Sequence, residues 1–229
     1  MKREIIVTAD GSTTIQIPEW NEQYHSKHGA IQEAYHVFIK HGLHYFCHSE
    51  QSEESQNNIS ILEIGFGTGL NAFITFLESE KLKLNINYNG VEAYPVSKEE
   101  INALNYVEAL KEENRHSIFK QLHDTTWEVE HKITSHFKLK KLKQFFSEIN
   151  DSVAHNIIYF DAFGARVQPE LWTETIFKIM YKALKPKGVL VTYSAKGSVR
   201  RAMQSVGFTV ERLPGPPGKR EMLRACKEA

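Results

Sequence analysis

Residues 61–71 read Ile61-Leu62-Glu63-Ile64-Gly65-Phe66-Gly67-Thr68-Gly69-Leu70-Asn71. The apolar run Ile59, Ile61, Leu62, Ile64 predicts a buried strand, and the apolar spacing over 70–77 predicts a helix. Between them stand three glycines at alternate positions. Strand, glycine turn and helix form a layout that holds a cofactor, because glycine lets the backbone approach a ligand where a Cβ would clash. A pyrophosphate site takes the pattern G-x-G-x-x-G. Here the pattern is E-x-G-x-G-x-G, with an acid two residues before the first glycine. A carboxylate there suits a cationic ligand end, such as the amino group of S-adenosylmethionine, rather than a dinucleotide.

Downstream, residues 86–91 predict a second strand that ends at Glu92, 23 residues after Gly69. In doubly wound sheets an acid at that point accepts hydrogen bonds from the two ribose hydroxyls. The alternative is a surface glutamate at a strand end, and the glycine loop upstream favours the ribose role. Ser97 with Glu100 is a capping box opening a helix over 97–106, and an amphipathic stretch runs on to 122. Residues 137–143 read as an exposed alternating strand and 145–149 as a short helix; Lys138, Lys140, Lys141 and Lys143 are candidates to touch phosphate, with a solvated face the favoured reading. Residues 156–161 predict another buried strand with Asp161 at its carboxyl end, where such sheets place ligands and chemistry. Residues 169–184 then predict a helix, 189–193 a strand, 198–206 a helix closed by Gly207, and 208–213 and 222–225 two strands around Pro214-Gly-Pro-Pro-Gly-Lys-Arg. Strand and helix alternate and finish strand–loop–strand. That is the order of an α/β, Rossmann-like class I methyltransferase sheet, with helices on both faces and an antiparallel last strand.

Upstream, 3–8 and 13–17 flank Asp10-Gly11 and predict a hairpin. A helix is expected over 31–40, and 49–58 is a polar loop or linker with little order. Residues 1–58 therefore read as an N-terminal hairpin and cap, and 59–229 as the methyltransferase domain. Six histidines between His25 and His48 lack metal-ligand spacing, so no metal is expected.

At 229 residues the chain has room for one core domain. No apolar run approaches the roughly 20 residues of a membrane helix, and the N-terminus lacks a signal peptide's apolar region. With Cys47 and Cys226 far apart, a cytoplasmic protein with free thiols and no membrane partner is expected. Net charge is zero, yet residues 162–229 carry 13 Lys or Arg against 5 Asp or Glu. A basic C-terminal third fits a polyanionic partner, while on charge alone a solvated surface accounts for it as well.

Several stretches together resemble one family. They are Glu63-Ile-Gly-Phe-Gly-Thr-Gly-Leu-Asn, Phe160-Asp-Ala-Phe with Pro169-Glu-Leu-Trp, Tyr193-Ser-Ala-Lys-Gly-Ser-Val-Arg-Arg and Gly218-Lys-Arg-Glu-Met-Leu, with His25-Ser-Lys-His-Gly-Ala upstream. The likeness is to the methyltransferase part of the tRNA wobble-uridine modifying family MnmC, and to its stand-alone form MnmD. It covers nearly the whole chain. It implies methylation of the amine of 5-aminomethyl-(2-thio)uridine at the tRNA wobble position, with S-adenosyl-L-methionine as cofactor. No second glycine-rich motif is present, so neither a flavin nor an oxidase activity is expected, and no obligate protein partner.

Asp161 matches the family's acid at this strand end and is expected to bind the substrate ammonium and take its proton; its plainer role is a cap of the following segment. Glu63, Gly65, Gly67, Thr68, Gly69 and Asn71 are expected to hold the methionine moiety and Glu92 the ribose, with Asp161 also counted among the cofactor-binding residues. Adenine recognition is left open between Asp151 and Asp124. Lys196, Arg200, Lys219 and Arg220, along with Arg201, are candidate phosphate contacts to a tRNA anticodon stem-loop. Arg200 and Arg201 point about 100° apart on a helix, so only one of them faces RNA. Phe163, Trp172 and Tyr193 are candidates for stacking the wobble base, with core packing as the competing role. The competing functions are a small-molecule amine methyltransferase or aminopropyltransferase on the same sheet, and a non-catalytic module that only binds the cofactor.

Overall fold

The computed structural model describes residues 2–48 and 58–228; the polar run at 49–57 lies outside them. The centre of the main sheet is β4 (Asn58–Ile64), parallel to β5 (Asn85–Val91) on one side and β8 (His155–Phe160) on the other. Beyond β5 lies β7 (Phe137–Leu142), parallel, and then the short antiparallel β6 (Glu130–Lys132). Beyond β8 lies β9 (Leu184–Thr192), then β11 (Glu221–Cys226) inserted antiparallel, and β10 (Thr209–Pro214) at the edge. This is the expected class I order, with one added edge strand.

The alternation of side chains along each strand assigns them to two core layers. Ile59 and Ile61 of β4, Ile86 and Tyr88 of β5, and Ile157 and Tyr159 of β8 pack in one layer. Leu62, Ile64, Val91, Ile158 and Phe160 pack in the other. Continuing that period of two places Glu63, Glu92 and Asp161 on the first face, at the carboxyl ends of three adjacent strands.

Helix α1 covers the first face. It runs through Ala30–Ala34, a π-helical stretch Tyr35–His44 and Tyr45–His48, burying Val37, Phe38, Leu43 and Phe46. The helix therefore runs past the expected end at 40, because its apolar face continues onto the sheet. Helix α2 (Leu70–Leu82) lies beside it, followed by α3 (Lys98–Asn102) with the expected Ser97–Glu100 capping box, α4 (Tyr106–Ala109) and α5 (His116–Asp124). The other face carries α6 (Glu174–Ala183) and α7 (Gly197–Ser205).

β7 is not the exposed strand expected. It lies between β5 and β6, and Phe137, Leu139 and Lys141 are buried. Lys141 is also not on a solvated face. Its Nζ donates 2.6 Å to the His123 carbonyl and sits over the rings of Trp127 and Phe66, and burial pulls its pKa down to about 8. Aliphatic stem and aromatic cover hide a residue whose charge reads as surface.

The N-terminal hairpin forms as expected: β1 (Glu4–Val7) pairs with β2 (Thr13–Ile17), which also pairs with β3 (Glu22–Gln23). No helix among the described residues is long and apolar enough to cross a membrane.

Candidate active site

A cavity of about 1010 Å³ opens over the carboxyl ends of β4, β5 and β8. The segment from Ile17 to His28 forms one wall. Gly65, Gly67, Glu92, Tyr94, Asp161 and Phe163 form the floor. Phe145–Ser147, the start of α6, Tyr193 and Lys219 complete it. The wall is held by Arg3, which lies over the Tyr24 ring at 5.6 Å and binds Glu100 at 3.1 Å and the Tyr94 carbonyl at 3.2 Å, and by Arg166 bound to Glu22 at 3.1 Å.

The glycine turn needs its glycines. Gly65 has φ +90°, and a Cβ there would stand 2.7 Å from the Asp161 carbonyl oxygen. Gly67 has φ +49°, and a Cβ would press on the Tyr24 ring at 3.1 Å. Both positions leave bare backbone facing the cavity.

Glu92 lines the cavity and accepts from the backbone of Gly67 at 3.1 Å and Tyr94 at 2.9 Å. Burial raises its pKa, and the two backbone donors work against that rise. Its lone pairs leave room for two more donors, the requirement for a ribose diol.

Asp161 is the acid that faces the cavity beside the glycine turn, with a side chain 6 % exposed. Burial pushes its pKa up to about 7, and the negative charge of Glu33 adds to that. Asn71 donates to its Oδ2 at 2.8 Å, and that bond, with the Lys219 ammonium, acts in the opposite direction. The same Asn71 nitrogen donates to Glu63 Oε1 at 2.9 Å.

Glu63 does not reach the cavity. It is 1 % exposed, on the face it shares with Ile61, and among the described residues its hydrogen bond toward the site is the one from Asn71. Burial holds its carboxyl well above the usual carboxylate range, with the Asn71 bond and the buried Tyr88 hydroxyl acting in the opposite direction. Thr68, Gly69 and Asn71 also sit behind the floor: Thr68 is bonded to His25 and Tyr106, and Gly69 is the N-cap of α2.

The expected base-stacking and phosphate residues divide. Phe163 lines the cavity, edge-on to Trp20 and Tyr24. Trp172 is core: it packs on Phe160 and Phe177, and its Nε1 donates to the Phe163 carbonyl. It supports Phe163 and offers no free face. The Tyr193 ring is covered by the Lys219 ammonium at 3.7 Å, and its hydroxyl donates to the Ala162 carbonyl. Lys219 turns inward to pair with buried Glu33, so it is not an outer phosphate contact. Lys196, Arg201 and Arg220 are exposed, and Arg200 is half-buried. Asp151 pairs with His155 at 3.5 Å and Asp124 lies by a separate depression; neither lines the main cavity. The segment Phe145–Ser147 does, with Phe145 edge-on to Tyr94.

Tyr24, His25 and Glu33 line the cavity without having been singled out from the sequence. Only the stretch beginning His25-Ser-Lys-His pointed toward them.

The family described as S-adenosyl-L-methionine-dependent methyltransferase matches residues 107–228, more than half of the chain. The chain belongs to that family. Among curated relatives, the tRNA 5-methylaminomethyl-2-thiouridine biosynthesis bifunctional protein MnmC of Leptospira borgpetersenii serovar Hardjo-bovis (strain JB197) is 30 % identical over 217 residues, covering 89 % of this chain and 32 % of that protein. MnmC of Marinomonas sp. (strain MWYL1) is 30 % identical over 219 residues, covering 89 % and 31 %. The chain thus spans about a third of the length of the curated relatives it matches. Among solved structures, MNMC2 from Aquifex aeolicus aligns with TM-score 0.77 and 26 % identity, over 100 % of this chain and 71 % of that one. A spermidine synthase from Thermotoga maritima shares the fold, with TM-score 0.58 and 15 % identity over 98 % and 68 %.

The residues present fit the family's cofactor. Bare backbone at Gly65 and Gly67 and a carboxylate at Glu92 face one cavity, an acceptor set for ribose hydroxyls and an ammonium.

Proposed function

We propose that the chain transfers a methyl group from S-adenosyl-L-methionine to the amine of 5-aminomethyl-(2-thio)uridine at the tRNA wobble position, with residues 1–58 capping the domain formed by 59–229. The observation that carries the chemistry is Asp161: a buried carboxylate on the cavity floor with a pKa pushed up to about 7. Such a substrate is a primary alkylamine, protonated near neutral pH, and only its free lone pair attacks a methyl. An ordinary aspartate, with pKa about 3.9, is too weak a base to help. One held near 7 accepts the proton at the pH of the cell. Asn71 fixes the carboxylate, so the acceptor oxygen does not wander.

When bound, the cofactor supplies an electrophilic methyl on a sulfonium. Gly65, Gly67 and Glu92 would hold it, and Phe145–Ser147 would surround its base. Phe163, which lines the cavity, would stack a splayed nucleobase. Lys196, Arg220 and one of the pair Arg200 and Arg201 would meet phosphates outside the cavity. The assignment of tRNA rests on the similarity to MnmC and on these outward cations.

A free amine substrate is the second reading. Among the described residues, five carboxylates (Glu22, Glu33, Glu92, Asp161, Glu170) and three cations (Arg3, Lys27, Lys219) line the cavity, a balance that suits an amine of any size. Labelled methyl transfer to bulk tRNA and to polyamines separates the two. We expect label in tRNA; label in free amines alone removes the tRNA reading.

A further inference from the structure

Thr68 is fully buried behind the cavity floor, between two side chains that determine which way its hydroxyl points. The Tyr106 hydroxyl donates to Thr68 Oγ1 at 3.0 Å, and Oγ1 stands 2.7 Å from His25 Nε2. A threonine hydroxyl has one hydrogen to give. Oγ1 has a second lone pair that could accept from Nε2, but the buried hydroxyl hydrogen would then have no acceptor among the hydrogen bonds of the described residues; given to Nε2, it makes that nitrogen the acceptor. A neutral imidazole accepting at Nε2 carries its proton on Nδ1. The ring is neutral, because burial pulls its pKa down to about 4. Its Nδ1 is the atom that faces Asp161, 4.0 Å from Oδ2.

We propose that His25 is a positioning residue for Asp161: the Tyr106–Thr68 pair locks the ring in the tautomer whose Nδ1–H dipole points at the carboxylate, favouring its ionised form. The inference rests on the reading of Asp161 as the proton acceptor. It adds a directional chain, Tyr106 to Thr68 to His25, whose last step to Asp161 acts through the field of the Nδ1–H dipole across 4.0 Å rather than through a hydrogen bond. A protonated imidazole would neutralise Asp161 as an ion pair and weaken it as a base. A neutral donor supports the anion while leaving it basic.

The other groups facing Asp161 are Asn71 from α2, Glu63 from β4 through Asn71, Glu33 from α1, Tyr193 after β9 and Lys219 from the loop before β11. Of these, Asn71 and Lys219 favour the anion and Glu33 opposes it. His25 approaches from the N-terminal wall, its Nδ1 4.0 Å from Oδ2.

The test is nitrogen-15 NMR of wild-type protein together with carbon-13 titration of the Asp161 carboxyl in two variants. We expect His25 to be neutral and protonated on Nδ1 between about pH 6 and 8. His25→Gln keeps an amide near the Nε2 position but places no donor at Nδ1, so the Asp161 midpoint rises by about half a unit. His25→Asn places its amide nitrogen near the Nδ1 position and leaves the midpoint near the wild-type value. A proton on Nε2, or equal midpoints in the two variants, overturns the proposal. The tautomer measurement needs no variant to fold. Neither readout needs substrate, so a failed tRNA assay would not be mistaken for a failed relay.

Discussion

One nitrogen of Asn71 holds Asp161: Nδ2 donates 2.8 Å to Asp161 Oδ2 while also donating to Glu63 Oε1. Two buried carboxylates thus share one neutral donor. Burial raises both pKa values, and the Asn71 hydrogen bonds, which favour the anions, offset only part of that rise. The arrangement sacrifices stability above neutral pH to keep a base on the cavity floor.

Asp161→Asn separates chemistry from folding. Methyl transfer should fall by about 10²- to 10⁴-fold, the usual contribution of a positioned base, with cofactor affinity retained by calorimetry. Wild-type kcat/KM should rise with pH and level off above about 7, where Asp161 is ionised. Stability runs the other way. A folded pKa near 7 against an unfolded value near 3.8 gives a contribution complete below about pH 4 and lost as pH rises through 7. The ceiling of that loss is about 4 kcal/mol. The asparagine variant should therefore melt higher than wild type at pH 8, with little difference at pH 4.

Glu33 and Lys219 should move the acid limb in opposite directions. Lys219→Met removes a cation that favours ionised Asp161, so the limb shifts to higher pH; Glu33→Gln shifts it lower. Lys219→Met also leaves Glu33 buried without its partner and should lower the melting temperature. Adding Glu33→Leu should restore much of the loss, because the uncompensated charge is gone. Melting curves of the single and double variants check this.

Gly65→Ala should fail at the turn. The new Cβ would meet the Asp161 carbonyl at 2.7 Å in a backbone region that alanine avoids. The strain alone is about 1–3 kcal/mol, and because it falls where the turn meets Asp161, cofactor affinity should drop along with melting temperature. Calorimetric titration of the cofactor is the check.

The outward cations should act through salt. Replacing Lys196 or Arg220 with alanine should weaken tRNA binding and reduce the slope of log affinity against log salt by about one each. Trp172→Phe, a core change, should leave that slope untouched.

The fold was legible because the central strands are continuous apolar runs ending at a glycine turn, and because Asp10-Gly11, Ser97 with Glu100 and Gly207 mark their turns and caps locally. Asp161 and Glu92 were legible as acids at strand ends. What escaped reading depends on direction and distance. Glu63 shares the face of Ile61 and is sealed behind Asn71. Lys219 belongs to a basic stretch yet folds inward to Glu33, 186 positions away. Trp172 and Lys141 have the composition of a ligand contact and a surface charge, and tertiary packing made both of them core. His25 stands in a stretch that resembles the family, but nothing local marks its role, which comes from Thr68 and Asp161 brought to it by the fold.

The most direct measurement is nucleoside mass spectrometry of tRNA bearing the 5-aminomethyl wobble nucleoside, incubated with protein and S-adenosyl-L-methionine. Conversion to the 5-methylaminomethyl nucleoside by wild type, with little conversion by Asp161→Asn, is the predicted result. A precursor left unchanged by wild-type protein that demonstrably binds the cofactor, or conversion by Asp161→Asn at the wild-type rate, would contradict it.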